Sequence, residues 1–269
     1  MSVITISRGS FSGGKMLAEC LAKSLGYRCV DREVIVERAA AHGVSQEELR
    51  DALQKPPSLF DRLQHKKYLY LVLIQAALAE EVRAGRAVYH GNAGHLLLKG
   101  GPHILRVRII APMEFRLKMA EDRLKFSRAE AADYIAKMDQ DRRKWTQYLY
   151  GVDWGDPSNY DIVLNLEFMD ITEACKTVTV LARQRCFEFT ECCQKTMDGL
   201  ALASRVRAEL ALAAPTSHLE FEVEAADGAV RIRGSVPSLR EIGEIRSIAQ
   251  SVPGVKSLNL DELASPVHS

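Results

Sequence analysis

Residues 3–16 read Val3-Ile4-Thr5-Ile6-Ser7-Arg8-Gly9-Ser10-Phe11-Ser12-Gly13-Gly14-Lys15-Met16. The β-branched run at 3–7 predicts a short strand, the Gly/Ser segment a turn, and the apolar spacing over 15–25 a helix ended by Gly26. Gly9 to Lys15 fits G-x-x-x-x-G-K, a loop whose backbone N–H groups curl around phosphate oxygens while a lysine neutralises them. Strand, loop and helix agree, which makes Gly9, Ser10, Ser12, Gly13, Gly14, Lys15 and Met16 the candidate phosphate-contacting residues. Met16 stands where the full pattern has Ser or Thr. A methionine has no hydroxyl for Mg²⁺, so the sequence identifies no metal ligand.

Outward from this loop, strands and helices alternate. A second strand over 27–30 ends at Asp31, Ser45 with Glu48 has capping-box spacing, and Pro56-Pro57 closes that helix before a long one over 59–84. Strands follow at 87–90 and 104–110, then helices at 114–124 and from Ser127/Glu130 toward Tyr148, and a fifth strand at 161–166. This pattern predicts an α/β fold, a parallel sheet with helices on both faces and ligand sites at the carboxyl ends of its strands. After Cys193 it changes to αββαβ: helix 197–213, strands 219–224 and 229–234 around Asp227-Gly228, helix 239–251 and strand 255–260. Two domains are expected, residues 1–193 and a small α+β unit over 197–263.

Composition narrows the functional classes. The chain has 269 residues, 36 Lys plus Arg against 35 Asp plus Glu, and a net charge of +1, which argues against general attraction to a nucleic acid polymer or a membrane. The longest apolar stretch, residues 68–79, contains Gln75 and is too short to span a bilayer, and the amino end lacks a secretory pattern. A cytoplasmic protein without a transmembrane segment is expected. Cys20, Cys29, Cys175, Cys186, Cys192 and Cys193 show no paired C-x-x-C spacing and are expected to be buried thiols.

Ile4-Thr5-Ile6-Ser7-Arg8, Ser12-Gly13-Gly14-Lys15, Leu25-Gly26-Tyr27 and Asp31-Arg32-Glu33 resemble the amino end of cytidylate-kinase-like proteins. Asp139-Gln140-Asp141-Arg142 and Trp154-Gly155-Asp156-Pro157-Ser158-Asn159-Tyr160-Asp161-Ile162-Val163-Leu164-Asn165 resemble that family's segment from its lid arginine into its last strand. The resemblance covers residues 1–185. It implies a P-loop nucleoside monophosphate kinase that moves the γ-phosphoryl of ATP, with Mg²⁺, onto CMP or dCMP. By position, Lys15 would hold the donor phosphates, Arg142 and Arg123 with Arg116 would close over the transferring group, and Asp31 would face the acceptor, with Arg116 also placed on the substrate side. His90-Gly91-Asn92 departs from the family's Gly-Arg and removes a cation. Trp145, Tyr148, Tyr150 and Trp154 are expected to pack, and Asp153, Asp156 and Asp161 suit capping and turns as well as a metal.

Residues 227–236 and 252–258 resemble a BON domain, a binding module without catalytic residues. Arg231, Arg233 and Lys256 alternate in a way that suits a solvated sheet face. Three functions remain in view: an active nucleotide kinase with a regulatory or tethering module, a nucleotide-binding sensor that has lost transfer, and a BON-driven protein that binds a ligand, a partner or a lipid surface.

Overall fold

The computed structural model describes residues 2–54, 64–101 and 103–264. In chain order the first unit runs β1 (Val3–Arg8), α1 (Gly14–Leu25), β2 (Arg28–Asp31), α2 (Arg32–Ala40), α3 (Gln46–Gln54), α4 (Gln64–Val82), β3 (Ala87–His90) and α5 (Gly94–Leu97). It continues with β4 (Ile104–Ile110), α6 (Met113–Leu124), α7 (Arg128–Tyr150), β5 (Ile162–Asn165) and α8 (Ile171–Ala182). The strands form one five-stranded parallel sheet of order β2-β3-β1-β4-β5. β1 is therefore central, and the loop that follows it opens at the carboxyl edge between its two neighbours. The Ser127/Glu130 capping box forms as expected. The proline stop at 56–57 and the first residues of the long helix lie outside the described residues.

Strand side chains alternate between two helical layers, as a sheet buried on both faces requires. Ile4, Ile6, Val88, Leu105, Val107 and Ile109 point toward α1 and α8. Val3, Ala87, Tyr89 and Ile104 pack with α2, α3 and α4 on the other side.

The second layer is completed from the far end of the chain. α9 (Glu191–Leu212) runs unbroken, and its Met197, Ala201, Ala208 and Ala211 join the core that covers α4. The helix thus begins six residues before the expected 197, capped by Thr190, whose hydroxyl accepts from the Cys193 N–H. Its opposite side, Leu202, Val206 and Leu210, covers the carboxyl-terminal sheet of β6 (Glu222–Ala226), β7 (Ala229–Ser235) and β8 (Ser257–Ala264), helped by α10 (Leu239–Ser251). β6 and β7 are antiparallel around Asp227-Gly228, both left-handed, and β8 lies parallel to β7. β6 starts at 222 rather than 219, because Thr216 and Ser217 donate to Ala213 O and Leu219 to Thr216 O, prolonging the turn after α9. The Tyr68 hydroxyl on α4 bonds both the N–H and the carbonyl of Phe221, fastening the two units together.

The expectation of six buried thiols is corrected. Cys20 on α1 and Cys175 on α8 form a disulfide with Cα atoms 6.1 Å apart, while Cys29, Cys186 and Cys192 are exposed and only Cys193 is a buried thiol. Positions 155 residues apart meet because α1 and α8 lie side by side on one sheet face, which no local spacing reveals. A crosslink closing so long a loop restricts the unfolded chain and typically contributes about 2–4 kcal/mol. Reductant, or Cys175→Ser, is therefore expected to lower the melting temperature by several degrees. An identical melt with and without dithiothreitol would count against the bond.

Candidate functional site

The loop after β1 is shaped by backbone before any side chain contributes. Ser12 N–H donates to Gly9 O at 3.2 Å, and Phe11 (φ 61) and Gly13 (φ 81) take left-handed conformations that turn successive N–H groups inward. Gly14 is required by contact: a Cβ there would sit 2.1 Å from Arg8 Cδ. α1 starts at Gly14 with no side-chain cap and no acidic residue in its first turn, so its positive end is left for an external anion.

Two helices hold this loop. Asp139 on α7 accepts from Ser10 N–H at 3.0 Å and Ser10 Oγ at 2.9 Å. Arg116 on α6 donates from Nε to Ser10 O at 2.7 Å and pairs with Asp139 through its other arm. Arg142 donates to Arg8 O at 3.1 Å and to Ser10 Oγ at 3.2 Å, with Asp139 3.6 Å away. This clamp is mostly buried, so its charge-assisted bonds are strong enough to set the loop's shape.

Beside the clamp lies a cleft of about 190 Å³ lined by five cations, Arg8, Lys15, Arg32, Arg123 and Arg142, with Ser10, Phe11, Gly13, Gly14, Met119, Tyr134 and Met138. The Nε atoms of Arg8 and Arg142 are buried without a hydrogen-bond partner. Burial, and then the neighbouring Arg8, draws the Arg142 guanidinium down to about 10; burial, and then Arg32, lowers Arg8 as well. Guanidiniums crowded at a cost to their own protonation constitute a site organised for negative charge.

Of the residues singled out in the sequence, Ser10, Gly13, Gly14, Lys15, Arg123 and Arg142 line the cleft. Gly9 and Ser12 shape the turn from behind it, Ser12 being buried. Met16 is 39% exposed on α1 and does not line the cleft. Arg116 spends its guanidinium on the clamp. Asp31 caps α2 by accepting from Val34 N–H at 3.0 Å, and the next residue, Arg32, reaches the cleft instead. Arg8 and Arg32 are contributors that sequence reasoning missed, although Arg8 ends β1 and Arg32 directly follows β2 on the ligand-facing edge, the one signal available for them.

The departure at His90-Gly91-Asn92 has a structural explanation, since Asn92 Nδ2 donates to Leu53 O at 2.8 Å and ties the end of β3 to α3. His90, on β3, and His95, on α5, are buried, and burial lowers each pKa to about 4, reinforced at His90 by Arg8 and at His95 by Arg106 and Arg108. Because the folded values lie below the ordinary histidine value of 6.5, the unfolded chain binds more protons between those limits. Stability is therefore full above about pH 6.5 and falls as pH drops toward 4, by an amount on the order of 3 kcal/mol per histidine. Denaturant melts over that range are expected to show this loss, with a shallower slope in His90→Asn; an unchanged slope would contradict it.

The aromatic segment packs, with Tyr148 as the exposed exception. Trp145 donates to Ala52 O at 2.7 Å, Trp154 donates to Ser7 Oγ at 2.9 Å, and the Arg108 guanidinium lies 4.2 Å from the Trp154 ring centroid. Asp153 and Asp156 accept from the Gly155 and Ser158 N–H groups, and Asp161 pairs with Arg106. On the carboxyl-terminal sheet, Arg233 is held by Glu224 and Glu262, and Arg231 lies 3.6 Å from Glu262.

Sheet order, phosphate loop and converging arginines define the class of P-loop nucleotide kinases. The family model described as the cytidylate kinase-like family matches residues 3–167, and the chain belongs to that family; the BON domain model matches residues 198–262. A cytidylate kinase of Ignicoccus hospitalis is 28% identical over 182 residues, covering 66% of this chain and 97% of the relative. A cytidylate kinase of Pyrococcus horikoshii is 27% identical over 164 residues, covering 61% and 79%. The crystal structure of an uncharacterized protein from Eubacterium ventriosum, 18% identical, shares the fold with a TM-score of 0.54 over 69% of this chain and 100% of its own. Among the described residues, no helix is long and apolar enough to cross a membrane.

Proposed function

We propose that the chain is a cytoplasmic nucleoside monophosphate kinase that transfers the γ-phosphoryl of ATP to CMP or dCMP. The observation that carries this reading is the convergence of five cations on the phosphate loop, two of them with buried Nε atoms lacking a protein partner. Phosphoryl transfer needs little covalent help. Its transition state spreads charge over the transferring oxygens, so fixed cations and inward N–H groups do most of the work.

In this reading Gly9, Ser10, Ser12, Gly13 and Gly14 shape the cradle for the donor phosphates and Lys15 neutralises them, with Met16 continuing the helix that follows. Arg142 and Arg123 face the transferring group, Arg8 and Arg32 add charge beside it, Arg116 sets the loop, and Asp31 orients the acceptor side through α2. A cleft of 190 Å³ is smaller than the roughly 300–1,000 Å³ of small-molecule sites, so a whole nucleotide requires α6 and α7 to move outward. The division of labour is nucleotide chemistry in 1–193 and regulation or tethering in 197–263.

Mg²⁺ would neutralise β- and γ-phosphate oxygens. The described residues contain no group of three metal-ligating side chains, Met16 lacks a hydroxyl, and Asp139 is committed to Ser10 and Arg116. A protein cage for the ion does not fit these residues, and the ion would enter bound to ATP.

A sensor that binds nucleotide without transfer is the second reading, favoured by Asn92 and Met16 at positions where a cation and a hydroxyl would assist catalysis. The test is ADP release by purified protein with ATP, Mg²⁺ and each common nucleoside monophosphate. Release stimulated by CMP or dCMP supports the kinase. ATP binding without release for any acceptor supports the sensor.

A further inference from the structure

One carboxylate joins the phosphate loop to both helices that stand over it. Asp139 on α7 accepts from the Ser10 N–H at 3.0 Å and from the Ser10 hydroxyl at 2.9 Å, pairs with Arg116 of α6, and lies 3.6 Å from the Arg142 guanidinium. A main-chain donor, a hydroxyl and two guanidinium forks are also the partners that a phosphate group takes. We propose that Asp139 is a built-in competitor for the nucleotide, an autoinhibitory latch that keeps the cleft shut until a polyphosphate displaces it. The latch rests on the nucleotide-binding reading of this cleft.

The cleft is closed as it stands. Its volume of about 190 Å³ lies below the roughly 300–1,000 Å³ of small-molecule sites, so the arrangement with Asp139 on Ser10 excludes a whole nucleotide. α7 holds the loop at a second point, where the Phe11 ring stands 6.1 Å from that of Tyr134, itself 5.5 Å from Phe126 in the turn joining α6 to α7. Phe11 has φ 61, a left-handed conformation that a bulky residue keeps only where its surroundings enforce it. Two consecutive loop residues are thus gripped by one helix. The grip is reversible by position, since the side chains of Arg116, Asp139 and Arg142 keep 12%, 19% and 14% exposure and remain within reach of an incoming anion.

A simpler account is that Asp139 only orients Arg116 and Arg142 toward the ligand. Orientation needs contact with the guanidiniums alone, whereas Asp139 also places one oxygen on both donors of Ser10. The arginines in turn spend donors on loop carbonyls, Arg116 on Ser10 O and Arg142 on Arg8 O, so part of their binding capacity faces the protein. A ligand that binds only the open state has its affinity reduced by the fraction of molecules that are open. Loosening the latch raises that fraction and tightens binding without adding a contact.

Calorimetric titration of the full chain with ATP and Mg²⁺, in the absence of an acceptor, tests the latch. Asp139→Ala is expected to bind ATP about threefold or more tightly than the parent. Loss of a negative charge near the cleft favours an anion by itself, so Asp141→Ala, two residues along the same helix, is the control and is expected to stay within about 1.5-fold of the parent in physiological salt. In ligand-free protein the Ser10 amide is expected to exchange hydrogen about tenfold faster in Asp139→Ala. If the alanine variant melts early, Asp139→Asn, which keeps the side chain's shape, is read in its place and is expected to tighten ATP binding about twofold. Unchanged or weaker ATP binding in a variant of Asp139 that melts normally overturns the latch. So does equal tightening by Asp141→Ala, or a Ser10 amide that exchanges as in the parent. These results leave the nucleotide reading standing, which fails separately if the parent and every variant bind no ATP.

Discussion

Lys15→Ala is expected to lower kcat/KM for CMP-dependent ADP release by about 10²–10³-fold, the range seen when one fixed donor to developing charge is removed. The lysine stands on the first turn of α1, its side chain 55% exposed, and its one described ion pair is with Glu19 at 3.8 Å. That exposed pair contributes little to stability, so the variant should melt within a degree or two of the parent. A loss below tenfold would mean that Arg8, Arg32, Arg123 and Arg142 carry the donor phosphates without it. A large loss of stability would mean that the residue acts on the fold.

Cutting the chain after Thr190 is expected to leave a protein with poor solubility and no cooperative melt. The cut looks harmless in sequence, because it falls between the two family matches at 3–167 and 198–262. Yet α9 supplies Met197, Ala201, Ala208 and Ala211 to the core over α4, with Leu200 and Leu212 at its margin. Their burial contributes on the order of 5 kcal/mol, comparable with the whole stability of an ordinary domain. Cutting at 213 instead keeps that packing but exposes Leu202, Val206 and Leu210, which serve the carboxyl-terminal sheet. Soluble yield and thermal melts of both truncations measure this. A 1–190 fragment as stable as the full chain would show that the helix only rests on α4.

The same helix bears on what the carboxyl-terminal domain does. Its sheet arginines are paired with Glu224 and Glu262, which lowers the positive charge those two residues present to a surface. Its connection to the rest of the molecule is broad, through α9 packed on α4 and through Tyr68 bonded to Phe221. A partner or ligand bound there would therefore act on α4 directly.

Local chemistry along the chain determined the strand–loop–helix at 3–25, the capping box at Ser127, the Asp227-Gly228 hairpin and the change from an α/β to an αββαβ pattern. Each depends on neighbours within about four residues: side-chain period, cap spacing and turn residues. The phosphate loop was legible for the same reason, since its glycines and Lys15 are consecutive. Tertiary structure alone decided the rest. Arg8, Arg32, Arg123 and Arg142 face one cleft only because β1, α2, α6 and α7 converge at the sheet's carboxyl edge. Asp139 grips Ser10 across 129 residues, Cys20 meets Cys175 across 155, and α9 serves two cores at once. Such pairings arise from how helices settle on the two faces of a sheet, and burial and charge select them over distances that periodicity and motif spacing do not encode.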